Sequence, residues 1–175
     1  TLGGVLSGSK AMMERIFNSE FMTVGSGIAP FNAWLLIRGL RTLPARLDRI
    51  TASTAQVLAF LKQHPRVESV LFPLDESFPQ YELAKKQLKG GCGLLTFTMK
   101  ADNIRQIEKF CEDLQHIFMA VSWGGHESLI IPKCSGIQPE DFDIANPEHR
   151  MLRLYVGLED PGYLVNDLSQ AFDKM

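Results

Sequence analysis

A chain of 175 residues, 45% apolar and 22% charged, is long enough to bury an ordinary core and predicts one compact domain. Its net charge of −2, with both signs mixed, excludes a polybasic surface and with it nucleic acid or an anionic membrane as the main partner, leaving small acids as ligands. Three cysteines, Cys92, Cys111 and Cys134, form no CxxC pair and an odd set, which argues against a disulfide framework or a zinc site and predicts a reducing, cytosolic compartment.

No apolar run reaches the ~20 residues that span a bilayer, and the start lacks a basic segment followed by an apolar one, so the reading is of a soluble protein. Thr1 to Ser9 is Gly-rich and strand-like and begins without Met, as if a longer chain had been cut inside an element. Met13, Ile16 and Phe17 lie at helical spacing within 10–21, and the glycines at 25 and 27 end that unit. From Pro30, residues Phe31, Trp34, Leu35, Ile37 and Leu40 make a helix apolar over most of its circumference, which predicts burial. Arg38 and Arg41 on it are either within reach of one anion or simply solvated or internally paired.

Pro44 either kinks this helix or occupies the first turn of the next. Leu47, Ile50, Thr54, Val57, Leu58 and Leu61 then form a one-sided stripe that ends before His64-Pro65. Residues 67–73 read as a strand, 78–89 as a loop leading into a short basic helix, and 93–99, opened by Gly90-Gly91, as a strand with Leu95, Phe97 and Met99 on one face. Ile104, Ile107, Phe110, Cys111 and Leu114 mark another helix. Two apolar runs, 117–121 and 129–131, read as buried strands and flank Ser122-Trp123-Gly124-Gly125-His126-Glu127-Ser128. That junction is either a Gly-Gly turn between core strands or a bend that shows polar groups to a ligand. An irregular surface loop occupies 132–149, residues 151–156 form the last strand, and Asp160 caps a helix that has Pro161 at its first position. The order β-α-β-α-β-β-α after a long helix predicts an α+β fold, a small and mostly antiparallel sheet with helices on one face. Repeats, low-complexity tracts and linkers are lacking.

Among residues able to carry chemistry, Arg153 stands out, because a guanidinium inside an apolar strand either lies on a surface edge or finds an anion, for which a carboxylate is the best geometric match. Ser122 is either a turn residue or a second donor to the same carboxylate. His126-Glu127 has no second ligand at metal spacing, and the Gly-rich start fits neither phosphate-loop pattern, so no metal and no nucleotide site is assigned.

Three stretches, PFNAWLLIRGLRTLPARLDR (30–49), AVSWGGHESLI (120–130) and MLRLYVGLED (151–160), resemble the C-terminal part of the Cys/Met-metabolism family of pyridoxal phosphate (PLP) enzymes, which includes cystathionine γ-synthase, cystathionine β- and γ-lyase, methionine γ-lyase and O-acetylhomoserine sulfhydrylase. The TLGGVLSG start, HPRVESVLFP (64–73) and ELAKKQLKGGCGLLTF (82–97) add to the likeness. The resemblance implies the C-terminal domain of a fold-type I PLP-dependent enzyme, with 1–29 ending the large PLP-binding domain, 30–63 as long connecting helices and 64–175 as the C-terminal α+β domain. It implies that Arg153 and Ser122, with Trp123 beside them, hold the α-carboxylate of a sulfur amino acid, and that Val121 stands at a specificity position. It also implies that the lysine carrying PLP lies upstream, so that this chain alone is inactive and holds no catalytic residue, and that the full-length enzyme is a homo-oligomer, a tetramer. In the family, PLP takes up the charge left when the α-proton is removed and a group leaves from Cβ or Cγ.

Loop 132–150 lacks the Pro-Ala-Ser-Met-Thr-His-like sequence of many members, so contacts made there are not carried over. SWGG is closer to bacterial cystathionine β-lyase and Val121 closer to methionine γ-lyase, which leaves the subtype open. The alternatives are a stand-alone ferredoxin-like module that binds amino acids or regulates without catalysis, and a related aminotransferase, to which the SWGG and GLED-like stretches fit less well.

Overall fold

The computed structural model describes residues 3–90 and 93–175, so Cys92 and the Gly91 that was read as opening a strand lie outside the described residues. These fall into two units, 1–45 and 46–175.

In the first unit, residues 3–9 are exposed coil rather than the strand their composition suggested. The Ser9 hydroxyl accepts from Met12 N (3.3 Å) and opens α1 (Lys10–Ile16). A π-helical turn, Phe17–Phe21, follows, then α2 (Met22–Val24), and Gly25 ends the run at φ 67°, a left-handed conformation that favours glycine. Side chains explain the widened turn: Asn18 Nδ2 and Ser19 Oγ donate to the carbonyls of Glu14 (2.9 Å) and Arg15 (2.6 Å), in competition with the helix's own bonds. Pro30 starts α3 (Pro30–Arg41) as predicted, yet no residue of α3 is buried, and Phe31, Trp34, Ile37 and Leu40 are each more than half exposed. The expectation of a buried helix is therefore corrected: a unit of 45 residues made of short helices and coil lacks the apolar surface to enclose one. Arg38 and Arg41 are exposed as well.

Helix α4 (Leu43–Gln63) places Pro44 in its first turn, which selects the second of the two proline readings. Its stripe buries Ile50, Ser53, Thr54, Val57 and Leu61, whereas Leu47 stays exposed. The second unit then runs β1 (Val67–Leu71), α5 (Tyr81–Gln87), β2 (Leu94–Met99), α6 (Ile104–Asp113), β3 (Phe118–Met119), β4 (Leu129–Pro132), β5 (Met151–Tyr155) and α7 (Pro161–Asp173). Three strands in succession precede α7, matching the runs 117–121, 129–131 and 151–156 and one more than the β-α-β-α-β-β-α order carries. The sheet order is β1-β2-β5-β4-β3, antiparallel throughout except for the β3/β4 pair. It is the expected α+β domain with a mostly antiparallel sheet.

Alternation decides the faces. Leu95, Phe97, Met99, Ile130, Leu152 and Leu154 point into one core with Ile107 and Phe110 of α6 and Leu164, Leu168 and Phe172 of α7. The opposite face carries Thr96, Ile131 and Arg153, which sit side by side across the three central strands. The 117–121 run departs from its prediction, since only Ile117 is buried and β3 is a two-residue edge strand with Phe118 and Met119 both 60% exposed. An edge strand has one neighbour and one open side, so apolar composition alone does not bury it.

Outside the core, Asp75 accepts from Lys62 Nζ (2.7 Å) and from both Ser77 N and Oγ, and these bonds hold its carboxyl well below the usual range, at about 2. Because its pKa is lower folded than unfolded, Asp75 contributes stability that is present above roughly pH 4 and lost as the pH falls toward 2. With Lys62 45% exposed, solvent screening leaves on the order of 1 kcal/mol. Unfolding free energies of the protein and of Asp75→Asn from urea titration are expected to differ by that amount at pH 6 and to converge near pH 2; a constant gap across that range would contradict the assignment.

Candidate functional site

Arg153 lies at the middle of β5, which has β2 on one side and β4 on the other, so the edge-strand reading of this arginine is excluded. Its neighbours Leu152 and Leu154 are buried in the core, which directs Arg153 to the face away from α6 and α7. There Nη2 donates to the carbonyls of Val121 (2.5 Å) and Ser122 (3.2 Å). Among the described residues the guanidinium has no carboxylate partner, and Nε and Nη1 make no hydrogen bond. Both bidentate faces of a guanidinium, Nε with Nη2 and Nη1 with Nη2, include the Nη2 that is bonded here to two carbonyls, so a carboxylate taken up by two bonds would draw Nη2 off one of them.

The 120–128 loop supplies the other candidates. Val121 and Ser122, bonded to Arg153 through their carbonyls, and Trp123 after them are exposed, and Gly124 takes φ 86°, a left-handed conformation that favours glycine. Structure thus brings Ser122 to Arg153 through its backbone carbonyl, while its hydroxyl is exposed. His126 Nδ1 lies 2.9 Å from Glu127 Oε2 with the imidazole largely in solvent, and among the described residues no group of His, Cys, Asp or Glu is arranged to hold a metal.

A cavity of about 480 Å³ adjoins Arg153, lined by Leu71, Thr96, Ile131, Lys133 and Met151 among others. Its lining has no acidic residue that could face a pyridine nitrogen, and its one lysine, Lys133, is engaged by Glu148. The residues around Arg153 therefore do not form a cradle for PLP.

Sequence reasoning passed over the fastening of the loop. Ser128 is fully buried; its N–H and Oγ donate to Glu159 Oε1 (2.7 Å) and Oε2 (2.8 Å), and the same Oγ accepts from Gly157 N (2.9 Å). Leu158 N donates to His126 O (2.8 Å), and the Tyr155 hydroxyl donates to Gly125 O (3.0 Å). Gly157 admits no side chain, since a Cβ there would stand 2.3 Å from His126 O. The available signal was a glycine directly after a strand, within two residues of an acid.

Arg153 thus faces away from α6 and α7 with no acidic partner among the described residues, on a sheet face where Ile50 of α4 packs beside Leu129 and Tyr155. The chain belongs to the Cys/Met metabolism PLP-dependent enzymes, whose family model matches residues 1–173. It is 38% identical over 178 residues to a canavanine γ-lyase of Pseudomonas canavaninivorans and 36% identical over 179 residues to an L-methionine γ-lyase of Treponema denticola, in each case across 99% of this chain and 44% of the relative. A cystathionine γ-lyase of Dictyostelium discoideum is 36% identical across 87% of this chain and 40% of its own length. A crystal structure of a putative O-acetylhomoserine (thiol)-lyase from Campylobacter jejuni, which holds N'-pyridoxyl-lysine-5'-monophosphate, superposes with a TM-score of 0.77 at 30% identity over 94% of this chain and 40% of that one. The chain thus spans about two-fifths of the length of the relatives it matches.

Proposed function

We propose that the chain is the C-terminal, substrate-gripping part of a PLP-dependent lyase of sulfur amino acids. The carrying observation is Arg153, held at the centre of the sheet with no acidic partner among the described residues, bonded to two backbone carbonyls and with Ser122 beside it. Arg153 receives the α-carboxylate through the Nη1/Nη2 fork, for which Nη2 gives up one of its two backbone carbonyls, Ser122 adds its hydroxyl, and Trp123 closes the exposed side. Fixing the carboxylate orients the bonds at Cα, and such orientation can contribute several kcal/mol. PLP and the lysine that carries it are assigned to the part of such an enzyme that this chain does not span, so the chain by itself is inactive. The relatives named as γ-lyases favour cleavage at Cγ, and family membership favours an enzyme over a stand-alone binding module. Following the family, the assembled enzyme is a cytoplasmic homotetramer in which 1–29 completes the large domain, 30–63 connects and 64–175 forms the C-terminal domain.

Val121 sets the substrate expectation. Its side chain is 73% exposed beside Arg153, and its apolar branches offer no partner to the distal ammonium of cystathionine. An enzyme of full family length carrying this chain is expected to release thiol from methionine or homocysteine with kcat/KM no worse than about tenfold below that for cystathionine. A cystathionine preference of several orders of magnitude would remove Val121 from the specificity role, and no turnover of any sulfur amino acid by the PLP-loaded enzyme would overturn the function itself.

A further inference from the structure

We infer that Glu159 is a positioning residue for the carboxylate grip, acting through Ser128 to hold the 120–128 loop against Arg153. The inference rests on the grip proposed above and goes one step behind it, to what keeps the grip in shape.

The loop is tied down at two ends. At the front, its only bonds to Arg153 are the carbonyls of Val121 and Ser122, both exposed to solvent. At the back, residues 125–128 are sewn to 155–159, the continuation of the strand that carries Arg153. The two halves of the site therefore share one seam, and a shift in the seam displaces Ser122 relative to Arg153. Glu159 supplies the charged group of that seam. Both of its carboxylate oxygens accept from Ser128, one from the N–H and one from the hydroxyl, and the hydroxyl in turn accepts from Gly157 N. Bonds of this kind to an ionised acceptor are roughly twice as strong as neutral ones. Arg49 approaches the same turn, donating to the Glu159 carbonyl (3.2 Å), which leaves the Glu159 side chain to Ser128.

Glutamine at 159 keeps the size and one acceptor but turns the other into a donor. With the amide oxygen on Ser128 N–H, the amide N–H can donate to the second lone pair of the Ser128 hydroxyl, which must turn its own proton away, so both bonds to the ionised acceptor become neutral ones and the seam is weakened.

The test uses the full-length PLP-loaded enzyme and four forms: unaltered, Glu159→Gln, Arg153→Lys and the double variant. Glu159→Gln is expected to lower kcat/KM roughly 10-fold, mainly through KM. In the Arg153→Lys background the same change should add little, because a grip that is already broken gains nothing from being positioned. A merely structural role would give losses that multiply in full. Ser128→Ala, which removes one of the two contacts, should show the same dependence on Arg153 and stands in for Glu159→Gln if that protein fails to fold. If Arg153→Lys alone has no effect, the grip itself is wrong; if it impairs turnover while Glu159→Gln does not, or the two losses multiply, only the positioning role is overturned.

Discussion

Replacing Asp167 with alanine is expected to cost about 3 to 5 kcal/mol of stability in the second unit. Asp167 stands on α7 with 3% of its surface exposed, and its carboxylate accepts from three successive peptide groups, Gln115 N (2.8 Å), His116 N (2.8 Å) and Ile117 N (3.1 Å), and from Gln170 Nε2 (3.1 Å). These bonds fix the turn between α6 and β3 to the last helix. Alanine deletes the acceptor and leaves three N–H groups at a part-buried to buried site unpaired, a larger cost than that of a surface ion pair. For a chain of this size each kcal/mol corresponds to roughly 2 to 4 °C of thermal midpoint, so the expected fall is on the order of 10 °C or more. Urea unfolding with an unchanged slope separates lost stability from a changed unfolded state. Asn at 167 retains one acceptor and should lose roughly half as much. A loss below about 1 kcal/mol for alanine would mean that water replaces the carboxylate and that the clasp adds little.

The contrast between what was legible in the chain and what was not follows range. Asp160 was readable as a helix cap because its partners, Gly162 N (2.9 Å) and Tyr163 N (3.3 Å), lie two and three residues away. Leu95, Phe97 and Met99 were readable as one buried face because period 2 is written in consecutive residues. Asp167 and Glu159 were not, since their partners lie 50 to 52 and 31 residues away and no local pattern marks them. Burial failed for a similar reason: Phe31, Trp34, Ile37 and Leu40 on α3, like Phe118 on β3, are apolar, but composition says nothing of what stands opposite. The candidate site lies between these cases. Arg153 and Ser122 were singled out from local context and family resemblance, and their proximity came with the register of β5 against β4.

The central claim is that Arg153 grips a carboxylate with a fork of donors, and Arg153→Lys addresses it because lysine keeps the charge and loses the fork. In the structure Nη2 is spent on the carbonyls of Val121 and Ser122 while Nε and Nη1 are not. An ammonium in the same place must divide itself between those carbonyls and the ligand, so one charge-assisted bond of roughly 1.5 to 3 kcal/mol is lost. Both carbonyls belong to exposed residues and can turn to water, which is why folding stability is expected to be spared. The decisive measurement is kcat/KM of the full-length enzyme against that of Arg153→Lys for the same sulfur amino acid, with the thermal midpoint followed in parallel. A fall on the order of 10- to 150-fold at a nearly constant midpoint is expected; an unchanged kcat/KM would take Arg153 out of the site, and a large fall in midpoint would make it a structural residue.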